Sequence, residues 1–451
     1  MLKEANPERN SALEARPRKV LLVLENLPVP HDRRMWQVAT SLQRAGYHVS
    51  VISPRPPEDP EYCVLEGIHL YRYPMPPPTH SVGSFLKEAV YCLWNTFRLS
   101  KRVEREQGFD VFHVGNPLDI FWSIGLYYKA RGKKFVYEHR DLCPELYEVR
   151  FKKRGLFYHL QVLFERWSYH LADMIIEMNE SYRQNALERG KADPEKIVIV
   201  RSGPRASEFM PVEPDLSLKK GKKHLVCYLG VMGPQDGIDI FVKAAHHIVH
   251  QRGYTDVHFV AIGSGDCLEE AKQLARQLGL EDYITFTGFV RERELLLRYL
   301  STADVGVATD PDNTYTARST MNKIIEFMAL GLPIVATRSI ENKWSAQDAL
   351  ISPADDRPES FGDTILELLH DEARRRYMSA YGRKRFLECL SWEHSEQALL
   401  TAYDRLFCGL PPAPHAVSSP SRYSNRRSST NPPVANNRLG DHAATAGGKN
   451  P

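Results

Sequence analysis

From about residue 19 to residue 408 the chain alternates short apolar runs with helix-length amphipathic segments, and that rhythm leaves few folds open. KVLLVLEN (19–26) reads as a strand and is followed by the loop LPVPHDRR. Met35 to Ala45 then predicts a helix stopped at Gly46, a residue suited to the turn past a helix end. Further strands are predicted at YHVSVISP, VFHVG (111–115), KKFVYEH (133–139), ADMIIEMN (172–179) and KIVIVRSG (196–203), with helices at 84–107, 118–131 and 155–172. Apolar strands separated by helices describe a parallel sheet covered on both faces.

The Pro- and Lys-rich stretch PRASEFMPVEPDLSLKKGKK (204–223) interrupts the pattern, which then restarts. Strands are predicted at 224–230, 256–263, 283–288, 303–309 and 332–337, and helices at 237–252, 267–278, around 291–302 and at 321–330. The expected fold is therefore α/β, with two Rossmann-like domains, 19–205 and 224–391, facing each other across a cleft and joined by a linker at 206–223. Ligands of open α/β sheets sit at the carboxyl ends of the strands, so the cleft is the expected site. The ends, 1–18 and 409–451, lack apolar periodicity and read as disordered tails.

Composition removes several classes of function. Lys and Arg number 59 against 56 Asp and Glu, a net charge of +3, so the chain does not read as a nucleic-acid binder. No apolar run approaches the roughly 18–20 residues of a membrane span, and the charged opening MLKEANPERNSALEARPRK predicts no signal peptide. The 7 Cys never form CxxC, which fits reduced thiols in a cytoplasm better than a disulfide framework or a zinc site.

The segment STMNKIIEFMALGLPIVAT (319–337) carries the clearest chemistry. A helix N-terminus offers free N–H groups and partial positive charge to a diphosphate. Lys323 adds a full charge there, Asn322 lies beside it, and Glu326 has two oxygens for the hydroxyls of a ribose. The same residues also suit a surface helix whose Glu complements the dipole. Gly230, Gly233, Gln235, Asp236 and Gly237 form a glycine-rich strand-to-helix turn. Gly263 and Gly265 end one later strand, and Phe289-Val290 follows another; each is a candidate ligand turn or an ordinary β–α connection. Glu138-His139-Arg140-Asp141 lies at a strand end in the first half. His31, Arg33 and Arg34 make the first loop suitable for a phosphate-bearing acceptor, while Asp32 suits a helix cap. Asp310-Pro-Asp312 supplies too few converging oxygens for a metal site, and none is predicted.

EFMALGLPIVAT resembles the donor-site helix of family 4 glycosyltransferases, retaining enzymes of the GT-B fold. ENLPVPHDRRMWQVATSLQRAGYHVSVISP, VYEHRDLCPELYEVRF, YLGVMGPQDGIDIFVKA and SWEHSEQALLTAYDRL resemble further blocks of that family's bacterial exopolysaccharide and O-antigen branch, in the same order. The resemblance implies that Glu326 is the second acid of a Glu-x7-Glu motif and holds the nucleotide ribose. Arg318 stands where the first acid belongs, and Asn322 or Lys323 is the expected substitute. It assigns Gly230, Gly233, Gln235, Asp236, Gly237, Gly263, Gly265, Phe289 and Val290 to the donor, with help from Arg201 to its phosphates. His139 or Arg140 would approach the transferred sugar, with Asp141 beside it, and the helix at 392–408 would pack back across the first domain.

The expected activity is sugar transfer, with retention, from a nucleotide-diphosphate donor to a glycan or polyprenyl-linked acceptor, without cofactor or metal. The rival expectations are a nucleotide-sugar epimerase of similar fold and a non-catalytic nucleotide-sugar-binding subunit. The segment 84–107 and Lys152-Lys153-Arg154 with the helix after it mix bases and aromatics. They could rest on anionic lipid at the inner face of the plasma membrane or pack on the sheet.

Overall fold

The computed structural model describes residues 17–76 and 82–410; the predicted tails fall almost wholly outside them. The first sheet contains β1 (Lys19–Val23), β2 (His48–Arg55), β3 (Tyr62–Leu65), β4 (Ile68–Pro74), β5 (Val111–Gly115), β6 (Lys134–His139), β7 (Met174–Glu177) and β8 (Ile197–Ile199). Its spatial order is β3-β4-β2-β1-β5-β6-β7-β8, and every pairing is parallel except the β3–β4 hairpin. The helices of this half are α1 (Arg33–Arg44), α2 (Val82–Glu106), α3 (Trp122–Lys129), α4 (Cys143–Phe151), α5 (Leu156–Leu171) and α6 (Glu180–Glu188).

The second sheet contains β9 (His224–Leu229), β10 (Val257–Ile262), β11 (Ile284–Gly288), β12 (Val305–Ala308), β13 (Ile334–Ala336) and β14 (Leu350–Ile351). It is parallel throughout, in the order β11-β10-β9-β12-β13-β14. Its helices are α7 (Ile238–His246), α8 (Leu268–Gln277), α9 (Arg293–Thr302), α10 (Asn322–Ala329), α11 (Ile340–Ala346), α12 (Pro358–His370) and α13 (Glu372–Arg385). The last helix, α14 (Trp392–Phe407), follows.

Local chemistry accounts for these elements. β1 is KVLLV, apolar on both faces because helices cover both, and four of its five residues are buried. α1 begins where the Asp32 carboxylate accepts from the Met35 N–H at 2.6 Å, and it ends at Ala45 before Gly46 with φ +88°. The hairpin β3–β4 has no counterpart in the sequence reading: β3 is an exposed edge with no buried face to give it a pattern.

Each sheet has apolar layers on both sides. Against the first, α1 and α14 bury Met35, Val38, Leu42, Trp392, Leu399 and Tyr403 on one face, while α2, α3 and α5 bury Cys92, Leu99, Ile124 and Tyr169 on the other. α14 therefore packs back on the first sheet. Trp392 Nε1 donates to Ser41 Oγ at 3.0 Å, and the Tyr403 hydroxyl lies 2.7 Å from His113 Nδ1. Burying two large aromatic side chains contributes on the order of several kcal/mol to that closure. The 206–223 segment is no free tether: Phe209 is buried in the second half's core, and Val212 and Leu218 pack against it.

Candidate active site

Four neighbouring strands of the second sheet end side by side, and their connecting turns converge. Gly230 follows β9, Gly263 and Gly265 follow β10, Gly288 closes β11, and Thr309-Asp310 follows β12. Hydrogen bonds lock three of the turns edge to edge. Gly230 N–H donates to Ile262 O, Met232 N–H to Ser264 O, and Gly263 N–H to Gly288 O, each at 3.0 Å. Gly263 has φ +137°, and a Cβ there would lie 1.8 Å from the Gly230 carbonyl oxygen, so only glycine lets these backbones approach. Gly237 caps α7 at φ +66°, with the Thr309 carbonyl oxygen 2.1 Å from where its Cβ would stand. Gly233 N–H donates to Asp236 Oδ2 at 2.9 Å, and the Tyr228 hydroxyl donates to the Val231 carbonyl at 2.9 Å, stiffening the turn.

α10 projects toward this floor. Unlike α1, α6 and α11, which Asp32, Asn179 and Ser339 cap, its N-cap is Met321, which makes no side-chain cap hydrogen bond. An uncapped first turn keeps N–H donors for an anion. Lys323 and Glu326 are both buried, whereas Asn322 is exposed. Lys323 Nζ sits over the Tyr228 ring at 5.0 Å from its centroid, and 3.2 Å from where a Gly230 Cβ would stand. Asp310 holds it with both oxygens, at 2.9 and 3.1 Å. Glu326 meets Arg33 of the opposite half, Oε1 to Nη1 at 2.7 Å. Burial raises the Asp236 carboxyl above its usual range, against the pull of nearby Lys323.

The first half reaches the same loop between β12 and α10. The Tyr315 hydroxyl donates to Asp141 Oδ1 at 2.8 Å, and Asn179 Nδ2 donates to Arg318 O at 2.8 Å and Thr320 Oγ1 at 2.9 Å. Tyr182 and Ser319 share a hydrogen bond of 3.0 Å. Arg318, in the place of the expected acid, has Nη1 4.0 Å from Glu145 Oε1.

The structure thus gathers Gly230, Gly233, Gln235, Asp236, Gly237, Gly263, Gly265, Lys323 and Glu326 at one end of the second sheet, with Arg33 and Asp141 facing them from the first half. Phe289 is exposed, and Val290 lines a cavity of about 410 Å³ with Thr285, Thr287, Leu295 and Tyr299.

Three assignments change. His139 is fully buried among Tyr137, Tyr169 and Tyr182, so no substrate atom reaches it in this arrangement. Burial opposes its charge, but Glu177, 3.0 Å from Nδ1, outweighs that and raises the imidazole to about 9. Arg34 turns inward to pair with Glu138 at 2.7 Å and lie over Trp392, so it is not an acceptor contact; His31 and Arg33 stay exposed. Arg201 is held by Glu341 at 2.6 Å and stacks 3.7 Å from the centre of the Trp344 ring, so its guanidinium is already engaged within the protein. The sequence reading gives no site role to Asp310, Tyr315 or Asp32: Tyr315 and Asp32 act through Asp141 and Arg140, 174 and 108 residues away, and Asp310 through Lys323 across the intervening loop.

Glu25 adds a buried acid just past β1. Cys92 Sγ donates to its Oε2 at 3.6 Å, and burial, reinforced by Glu88, pushes the carboxyl from 4.5 up to about 8. The folded chain then holds a proton that the unfolded chain releases, so stability falls as pH rises between these values. Glu25→Gln, which cannot ionise, is expected to gain on the wild type across that window, by on the order of 4 kcal/mol at its top. Urea unfolding at pH 5, 6.5 and 8 measures this, and a pH-independent difference would contradict it.

Comparison with known proteins agrees with this geometry. Residues 31–203 match the family described as glycosyl transferase 4-like domain, and residues 223–371 match glycosyl transferases group 1. The chain is similar to a D-inositol 3-phosphate glycosyltransferase of Geodermatophilus obscurus, 25% identical over 350 residues that cover 72% of this chain and 73% of that one. Among solved structures, sucrose-phosphate synthase of Thermosynechococcus elongatus superposes with a TM-score of 0.72 at 18% identity, covering 87% of this chain and 99% of that one. HepE of Anabaena, in complex with UDP and glucose, superposes with a TM-score of 0.62 at 15% identity over 86% of this chain and 99% of its own. Two parallel-sheet halves, the converging glycine turns and both family matches give one conclusion: the chain is a group 1 glycosyltransferase of the GT-B fold.

Proposed function

We propose that the enzyme transfers a sugar, with retention at the anomeric carbon, from a nucleoside-diphosphate donor to a hydroxyl of a phosphate-bearing acceptor. The observation that carries this reading is the position of Lys323 and Glu326 three residues apart on α10, over the glycine turns. An ammonium beside an uncapped helix N-terminus suits the diphosphate, and Glu326 suits the ribose hydroxyls. In the transfer, the bond from the anomeric carbon to the diphosphate oxygen breaks and one to the acceptor oxygen forms. The acceptor's proton passes to the leaving phosphate. Charge grows on that phosphate in the transition state, where Lys323 and the α10 N–H groups are already aimed. Nucleotide binding takes Glu326 from Arg33 and leaves that guanidinium exposed on the acceptor side.

A phosphate-bearing acceptor suits Arg33 and His31, and the likeness to an inositol-phosphate glycosyltransferase supports the same chemistry. The exopolysaccharide-type sequence blocks favour a glycan or polyprenyl-diphosphate acceptor in cell-surface polysaccharide synthesis at the cytoplasmic face. Among the described residues no helix is long and apolar enough to cross a membrane. The test is a transfer assay with a panel of UDP-, GDP- and ADP-sugars, with and without polyprenyl-diphosphate glycans. One donor is expected to give an acceptor-dependent α- or β-linked product of unchanged anomeric configuration, at least tenfold faster than with Glu326→Ala. Sugar conversion without acceptor, or binding of a donor without turnover, would overturn the reading.

A further inference from the structure

Three helices on one side of the first sheet leave an apolar face uncovered. On α2 the exposed positions from 85 to 98 are Leu86, Lys87, Val90, Trp94 and Arg98. On α5 they are Leu156, His159, Leu160, Leu163, Arg166, Trp167 and His170. No carboxylate occurs in either set, and α3 between them exposes Leu126. The exposure is large: 63% for Leu86, 60% for Val90, 66% for Trp94 and 88% for Leu156. On α8 in the second half, by contrast, the exposed positions are Glu269, Glu270, Gln273, Arg276 and Gln277, an ordinary solvated face.

The three helices form one layer. Trp122 of α3 meets Trp167 of α5 edge-on at 4.6 Å, Phe85 of α2 meets Phe157 of α5 at 5.2 Å, and Phe97 meets Tyr127 at 5.3 Å. A cavity of about 320 Å³ opens between α2 and α3, walled by Val90, Leu93, Trp94, Phe97, Ile124 and Tyr127. At the start of α5, Phe151, Lys152, Lys153 and Arg154 are all exposed, so the apolar face has a basic rim.

We infer that this face seats on an anionic lipid bilayer, with the α2–α3 cavity taking the end of one lipid chain. Arg154 of the rim is paired with Glu148 at 2.8 Å, but Lys152 and Lys153 stand exposed beside the aliphatics and tryptophans, a mixture that matches the boundary between acyl chains and anionic headgroups. A second copy is a poorer occupant, because stacking two such faces sets like-charged rims against each other. The inference goes beyond sugar transfer and does not depend on it, since it concerns no residue of the donor site.

The test is co-sedimentation of the full chain with vesicles of phosphatidylglycerol and phosphatidylcholine, or of phosphatidylcholine alone, at low salt without nucleotide. Wild type is expected to partition at least tenfold more strongly to the anionic vesicles, with tryptophan fluorescence quenched by brominated acyl chains. Trp94→Glu with Leu156→Glu is expected to lower partition at least tenfold with melting unchanged. Lys152→Glu with Lys153→Glu, far from any core, is expected to remove the preference for anionic lipid. Wild-type partition in both double variants, equal partition to neutral vesicles, or a dimer in light scattering that Trp94→Glu dissolves would each overturn the inference.

Discussion

Gly263→Ala is expected to destabilise the chain by at least about 3 kcal/mol and to abolish nucleotide binding. Two costs combine at this position. An L residue at φ +137° is strained by its own backbone, and the new methyl would stand 1.8 Å from the Gly230 carbonyl oxygen. Neither turn yields alone, because Gly230 N–H is tied to Ile262 O and Gly263 N–H to Gly288 O. Relief must move Gly230, the backbone against which the Lys323 side chain packs. Gly132→Ala separates the two costs: Gly132 also has positive φ, +79°, but nothing lies within 4 Å of its Cβ position. Urea unfolding is expected to show a small loss for Gly132→Ala and a loss several times larger for Gly263→Ala. Equal losses would mean that the turns are not locked together as described.

Lys323→Ala is expected to weaken binding of the nucleoside diphosphate at least tenfold and also to lower the melting temperature. On the sequence reading Lys323 is the cation at the donor diphosphate, and its removal lowers turnover while leaving melting nearly unchanged. The structure corrects that view: Lys323 and Asp310 are both buried and paired, so removing one strands the other's charge, at a cost of about 3–5 kcal/mol. Asp310→Asn with Lys323→Met removes both charges together. That double variant is expected to recover most of the melting temperature while binding stays weak, because the ammonium aimed at the phosphate is still missing. Differential scanning calorimetry and nucleotide titration on the three proteins check both halves. A double variant that binds like wild type would show that Lys323 serves Asp310 and no ligand.

Much of the fold is legible in the chain because buried parallel strands such as KVLLV and HLVCYL are apolar at nearly every position. β3 is not, since an exposed edge strand leaves no alternation to read. At the site, the glycine turns and the α10 pair are local patterns: a strand, a turn and a helix start within one segment. The sorting of Arg33 from Arg34 is different. The two are adjacent, and which one meets Glu326 and which meets Glu138 depends on how α1 is rotated against the sheet. His139 likewise sits at the predicted strand end, yet its ring faces three tyrosines drawn from β6, α5 and α6. Asp310 holds Lys323 across the loop between β12 and α10, and Tyr315 reaches Asp141 from the other half of the chain. Pairings of this kind have no periodic signature; they exist only once the elements that carry them have packed, and those of Arg33 with Glu326 and Tyr315 with Asp141 need both halves.

The central claim is that α10 and the glycine turns grip a nucleoside diphosphate through Lys323 and Glu326. The most direct measurement is calorimetric titration of UDP, GDP and ADP into wild type, Glu326→Gln and the Asp310→Asn, Lys323→Met double variant. At least one nucleotide is predicted to bind wild type and to bind each variant at least tenfold more weakly, with all three proteins folded. Affinity unchanged in both variants, or no affinity of the folded wild type for any of the three, would contradict it.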